Sequence, residues 1–184
     1  MHLTVLDTNP ESGLFEPGSE QLSWLQQDLA SATAHWKLVM FHHPLYSSAR
    51  HKSNLDLRKK LMPLFVQYDV DLLISGHDHC YERTWPLEGD KRAEGGIVHF
   101  VSGGGGATLY PVGRDTWTAV SASAHHYCIL DVKGDRLDLD VFDLNDREVD
   151  AFTLVKESAA KRLAKTLDSA TDLAAHIQLL GRTA

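Results

Sequence analysis

The sequence has 184 residues, 43% of them hydrophobic, which is enough for one domain with its own core and too little for two large ones. A formal charge of -7 and a pI near 5.8 leave no concentrated basic face, so nucleic acid and an acidic membrane surface are excluded as main partners and a small-molecule ligand is favoured. Cys80 and Cys128, the two cysteines present, build neither a disulfide framework nor a thiolate zinc site within one chain, and no apolar run approaches the roughly 18 residues of a membrane span.

The stretch HLTVLDT, His2 to Thr8, predicts a short strand closed by the turn-prone NPESG. From Ser19, Leu22, Leu25 and Leu29 fall at helical spacing with Glu20 in the first turn, where the positive end of the helix dipole favours an acid; this helix is expected to end near Ala32. WKLVMF, Trp36 to Phe41, is a second strand, mostly apolar as expected when both faces are covered, and it ends at His42. From Asn54, the residues Leu57, Leu61, Leu64, Phe65 and Tyr68 form a second helical stripe, which Pro63 is expected to kink or restart because it lacks a backbone donor. VDLLIS, Val70 to Ser75, is a buried strand running into Gly76. Strand, helix, strand, helix, strand reads as an α/β layered unit with parallel strands, whose functional groups collect at the strands' carboxyl ends.

After Tyr81 the pattern changes to strands separated by turns: IVHFVS, HHYCILDV, RLDLDVFD and VDAFTLV, with Leu137, Leu139 and Val141 marking one buried face. The second half is therefore expected to be mainly antiparallel. Glu157 to Leu180 carries leucines and Ile177 at helical spacing among charges, which predicts a terminal amphipathic helix that packs on the domain or on a partner. The expected organisation is one domain over 1–156 followed by a helical tail over 157–184, without repeats or low-complexity linkers.

Eleven histidines are many for this length, and imidazole is both a usual transition-metal ligand and the usual acid or base near neutral pH. Two clusters stand where strands end. In ISGHDHCYERT, His77 and His79 project from one tight loop after Gly76, while Asp78 between them points elsewhere and orients a turn. In LVMFHHPLYSS, His42 ends a strand and Pro44 stiffens the exit. Gly103 to Gly106 has no following G-K-[ST] and reads as a flexible strand exit. His125 and His126 have no defined partner and read as structural or solvent-facing, and Ser47, Ser48 and Cys80 lack an evident base.

VMFHHP followed by SGHDHCYERT resembles the last two metal-binding motifs of the calcineurin-like metallophosphoesterases, V-x-x-H-x-P and G-H-x-H. The Tyr-Glu-Arg trailer, VLDTN, GSEQLSWLQQDL, VSGGGGATLY and ILDVKGDRLDLDVFD resemble the purple acid phosphatase branch, so that the similarity runs over roughly residues 3 to 156. The resemblance implies a partial metallophosphoesterase α/β/β/α sandwich with a mainly antiparallel carboxyl-terminal sheet. It implies hydrolysis of phosphate monoesters, a phosphate ester as small-molecule substrate, and a centre of two transition metals among iron, zinc and manganese. In that centre His42 and His77 would ligate one metal and His79 the other. His51, nine residues after His42, would bind phosphate or protonate the leaving alkoxide, and His43 would face the substrate or support the ligands. Tyr81 and Arg83 would fix the loop. Family members are often exported, whereas no charged-then-apolar leader is visible here.

The family's centre also needs an early D-x-H or D-x-G, a G-D-x-x-D or G-D-x-x-Y, and a G-N-H. None stands in the proper order, and GDRLD at Gly134 to Asp138 is a formal match that reads as a hairpin turn. The chain is thus expected to be the carboxyl-terminal half of such a domain, with a complementary amino-terminal half chain as the source of the carboxylates. Two further readings stay open: a non-catalytic remnant or interaction module using an exposed sheet edge or the terminal helix, and a mononuclear metal protein using only His42, His77 and His79.

Overall fold

Strand β1 (His2–Leu6) sends His2, Thr4 and Leu6 to one face and Leu3 and Val5 to the other. The computed structural model describes residues 1–9, 13 and 15–156; the terminal helix and the tail expected over 157–184 lie outside the described residues. Helix α1 (Glu20–Ser31) starts at Ser19, whose side chain accepts the N–H of Leu22, and it buries Leu25 and Leu29. His2 Nε2 and Thr4 Oγ1 both meet Asp28 Oδ2 on this helix, at 2.8 and 2.7 Å. Strand β2 (Lys37–Phe41) pairs parallel with β1, and Asn54 caps helix α2 (Leu55–Gln67) by accepting the N–H of Leu57 at 3.0 Å. Pro63 does not restart the helix: α2 runs through it. Pro63 and Lys59 are exposed, so the carbonyl that proline leaves without a donor stands on the solvent side of the helix.

Strand β3 (Leu72–Ser75) follows, then β4 (Tyr81–Thr84), the two-residue strands β5 (Leu87–Glu88) and β6 (Lys91–Arg92), β7 (Val98–Ser102) and β8 (Thr118–Ala122). The chain closes its described part with β9 (His126–Lys133), β10 (Arg136–Asp143) and β11 (Glu148–Val155). The main sheet has the order β1-β2-β3-β7-β4-β8, with β1, β2, β3 and β7 parallel and β4 and β8 antiparallel. An antiparallel sheet β9-β10-β11 lies against it, and β5 and β6 form a separate small ribbon.

Two apolar clusters join the layers. Leu25, Leu29, Leu61 and Phe65 of the helices pack on Leu6, Val39, Phe41 and Leu73 on one face of the main sheet. On the other face Trp36, Leu38, Leu72, Tyr81, Val98 and Phe100 meet Leu137, Leu139 and Val141 of β10. Each such side chain, removed from water, contributes about 1.5–3 kcal/mol, and together they hold β2 and β3 rigidly side by side. The second sheet does not cover the β1 end, where Leu3, Val5 and Met40 remain 44%, 59% and 37% exposed. Among the described residues no helix is long and apolar enough to cross a membrane, and Cys80 and Cys128 are both free thiols.

Candidate metal centre

Met40 of β2 stands opposite Ile74 of β3, so the loops leaving these two parallel strands emerge next to each other. The N–H of Gly76 donates to the carbonyl of His42 at 3.1 Å and fastens one exit to the other. His77 then takes a left-handed backbone, φ 65°, an unusual state for a residue with a Cβ and one that costs on the order of 1–3 kcal/mol. The turn brings its ring back over the β2 exit. His42 Nε2 and His77 Nδ1 are 3.0 Å apart, and the His77 ring centroid lies 4.5 Å from that of His43 and 4.2 Å from that of His51. One donor nitrogen from each of His42, His43 and His77 lies within 4.8 Å of the others.

Two buried carboxylates lock the loops that carry these rings. Asp78 accepts the hydroxyl of Ser47 at 2.6 Å and the backbone N–H of His51 at 2.8 Å. Glu82 accepts the N–H of Ser48 at 2.7 Å, its hydroxyl at 2.8 Å and the hydroxyl of Thr118 at 2.7 Å. Both acids are therefore satisfied inside the protein and turn away from the imidazoles. On the other side Thr8 Oγ1 accepts the backbone N–H of His43 at 3.1 Å and lies 2.9 Å from His43 Nδ1.

His79 stands apart from this group. Its ring stacks on Tyr110, with centroids 4.3 Å apart and planes 18° from parallel, and its Nδ1 is 2.8 Å from the carbonyl of Thr108. The loop after β7 makes this possible by folding back over the site, with the N–H of Tyr110 donating to the His79 carbonyl at 2.9 Å. The start of that loop is packed, not the free strand exit its glycines suggest. A Cβ on Gly103 would lie 2.0 Å from the Asp78 carbonyl oxygen, and one on Gly104 would lie 2.3 Å from that of Ala124.

Burial and the neighbouring His43, His51 and His42 rings push His77 down to about 4. Burial, and then the His42 ring, also lower His43, against opposing pulls from a hydrogen bond with the Thr8 backbone and from Asp7. These imidazoles are accordingly neutral near pH 7 and offer lone pairs. Among the described residues the mutually close donors are imidazoles alone, a set that suits a borderline divalent transition ion and brings no carboxylate to offset the charge of two ions.

The remaining candidates resolve structurally. Burial pushes the Cys80 thiol up to about 12, which leaves it inert. His126 is buried, with Nε2 3.0 Å from the Ser102 hydroxyl, and Gly134 to Asp138 forms the turn and start of the β9–β10 hairpin. Tyr81 and Arg83 both reach Asp150 of β11, the first through its hydroxyl at 2.7 Å and the second through Nε at 2.6 Å. Sequence reasoning does not single out Thr8, Glu82 or Tyr110. Glu82 sits inside the noted Tyr-Glu-Arg trailer, between Tyr81 and Arg83, where nothing local marks it as buried; Thr8 and Tyr110 act through contacts 35 and 31 positions away in the chain, here 8 to 43 and 110 to 79.

Comparison with known proteins places the same segment in context. The profile of the family described as calcineurin-like phosphoesterase matches residues 2–81, the span from β1 to the first residue of β4. A protein of Mycobacterium tuberculosis is 39% identical over 126 residues, covering 53% of this chain and 24% of that protein. An acid phosphatase of Aspergillus ficuum is 46% identical over 71 residues, covering 37% of this chain and 12% of the enzyme. A solved purple acid phosphatase from yellow lupin seeds superposes with a TM-score of 0.77 at 25% identity, over 84% of this chain and 31% of that one. The chain spans about a quarter or less of the length of these two curated relatives.

Proposed function

From a chain that carries a purple acid phosphatase-like domain of the calcineurin-like metallophosphoesterases, we propose a role as the histidine-bearing part of a centre that hydrolyses phosphate monoesters. The observation that supports it most is the meeting of His42, His77 and His51 at the ends of two adjacent parallel strands, within the segment that matches the family. In this reading His42, His77 and His79 hold metal, with iron, zinc and manganese as the candidates. Bound metal would polarise the ester and supply a nucleophile from water. His51, whose backbone Asp78 fixes, is assigned the phosphate oxygens or the proton returned to the departing alkoxide, and His43 faces the same space. The missing carboxylates are assigned to a complementary polypeptide bearing the early Asp motifs and the G-N-H.

The test is metal content together with hydrolysis of an aryl phosphate, for the chain alone and mixed with such a polypeptide. Activity in the mixture that disappears in His77→Ala supports the reading. Silence in the mixture despite bound metal sinks it.

The uncovered apolar face at Leu3, Val5 and Met40 on the edge of the main sheet favours a second reading, a non-catalytic interaction module. Here Val5→Lys would abolish association while metal binding survives, as read by light scattering and metal content.

A further inference from the structure

We propose that Arg50, held over the ring of Tyr110, is a specificity-determining residue that takes a second phosphate carried by the alcohol of the ester. The inference rests on the phosphoesterase reading for the place of the transferred phosphate, and it narrows the substrate class to bisphosphates.

The guanidinium carbon of Arg50 lies 5.0 Å from the centroid of the Tyr110 ring, within the range of a cation–π contact. The His51 ring approaches the same tyrosine at 5.4 Å, and Tyr110 stacks on His79 at 4.3 Å. Tyr110 is thus shared between the candidate site and a cation at its rim. An ester whose transferred phosphate meets His51 therefore has Arg50 within reach of a group on its alcohol.

Charge sets Arg50 apart. The chain has a formal charge of -7, and other cations find carboxylates: Arg58 meets Asp90, Arg83 meets Asp150 and Lys156 meets Asp71. Arg50 is exposed, and among the described residues its guanidinium makes no ion pair and no hydrogen bond, so its N–H donors stay available to an anion. Its backbone is nevertheless fixed on both sides. Buried Ala49 donates its N–H to the Ser47 hydroxyl at 3.2 Å, and the His51 N–H is held by Asp78 at 2.8 Å. An arginine set between two fixed points and against a ring loses less freedom on binding than a free side chain. Its planar fork matches two oxygens of a phosphate, and a phosphate dianion draws it more strongly than a carboxylate with one charge.

The experiment titrates the full 184-residue chain, supplied with zinc and dialysed, with ethyl phosphate and with ethylene glycol bisphosphate, by calorimetry at low ionic strength. The wild-type chain should bind the bisphosphate roughly tenfold more tightly, the lower end of what a charge-assisted hydrogen bond supplies. Arg50→Gln should remove that preference and leave the affinity for ethyl phosphate unchanged. Lys52→Gln is the charge-matched control: Lys52 is also exposed, but it lines a different cleft with Ser53, Leu55, Arg114 and Trp117, and its variant should keep the preference. Thermal melts of the variants check that the fold is intact. No bisphosphate preference in the wild type, a preference that survives Arg50→Gln, or equal losses in the two variants would overturn the proposal, the last by assigning the effect to net charge. Aryl phosphate hydrolysis in the mixture with the complementary polypeptide is read separately. Silence there beside an Arg50-dependent preference sinks the phosphoesterase reading and not this subsite, whereas hydrolysis without the preference sinks the subsite alone.

Discussion

The buried carboxylate of Asp78 accepts the backbone N–H of His51 at 2.8 Å. It also takes the Ser47 hydroxyl at 2.6 Å, so one acid in the loop after β3 fixes both ends of a five-residue stretch in the loop after β2. The residue between two candidate metal-binding histidines therefore works as the clamp between their loops. This backbone contact holds His51 where its ring approaches that of His77.

Asp78→Ala leaves the buried Ser47 hydroxyl and the part-buried His51 N–H without their acceptor; a buried donor so left costs roughly 1–3 kcal/mol, and the change is expected to destabilise the chain by about 2 kcal/mol in urea unfolding. Asp78→Asn retains one carbonyl acceptor and should cost less than the alanine change. Equal stability of wild type and Asp78→Ala would show that the clamp does not hold the loops.

A glycine pair in the loop after β7 gives a sharper contrast. Gly103→Ala would place a methyl 2.0 Å from the Asp78 carbonyl oxygen, a backbone atom that cannot move without moving His77 and His79, whereas Gly105→Ala meets nothing within 4 Å. Overpacking of this kind costs about 1–3 kcal/mol or more, against about 0.5 kcal/mol or less for a surface change. Thermal melts of the two variants should therefore separate clearly, and Gly103→Ala should also weaken metal uptake. If both variants melt alike, the glycines serve flexibility, as their run in the sequence first suggests.

Elements that bury one regular face were readable in the sequence. Leu25 and Leu29 in α1, or Leu137, Leu139 and Val141 in β10, announce their periods, and RLDLDVFD matches β10 residue for residue. Strand β4 was not readable, because it buries Glu82 and Thr84 along with Tyr81, and only their partners Ser48, Thr118 and the His99 N–H make that burial tolerable. The site divides in the same way. Two histidine clusters at strand ends follow from local pattern. Which rings meet depends on the backbone sign at His77 and on a loop returning from Thr108 and Tyr110, and neither has a local signature.

Asp150 ties the second sheet to β4. It accepts the Tyr81 hydroxyl and both Nε and Nη2 of Arg83, the latter at 3.1 Å, in a pair where Arg83 and Asp150 are only 11% and 6% exposed. Asp150→Ala leaves a guanidinium buried without its anion, at a cost of about 3–5 kcal/mol. Tyr81→Phe, which leaves that ion pair whole, should cost about 1 kcal/mol. Urea unfolding of both variants checks the order; the reverse order would mean that Tyr81, not the ion pair, fastens the sheets.

His99 offers a pH test away from the candidate ligands. Its Nε2 lies 2.8 Å from the Ser75 hydroxyl, its Nδ1 has no hydrogen-bond partner among the described residues, and Phe41 and Tyr46 pack against its ring. Burial pushes it from 6.5 to about 3. The folded value lies below the unfolded one, so the unfolded chain takes up a proton first as pH falls. Stability is full above about pH 6.5 and declines below it, by up to about 1.4 kcal/mol per pH unit for this group, until the folded form titrates near 3. His43 and His77 are lowered too and add to the decline in any variant that keeps them. His99→Phe removes one titrating group while preserving a ring against Phe41, at the expense of the Ser75 contact. Its unfolding free energy should be lower near neutral pH but fall less steeply with acid, by up to one proton's worth of slope. Parallel slopes in the two proteins would mean that His99 is protonated or solvated in the folded state, and that the acid sensitivity of the chain resides in the His43 and His77 cluster instead.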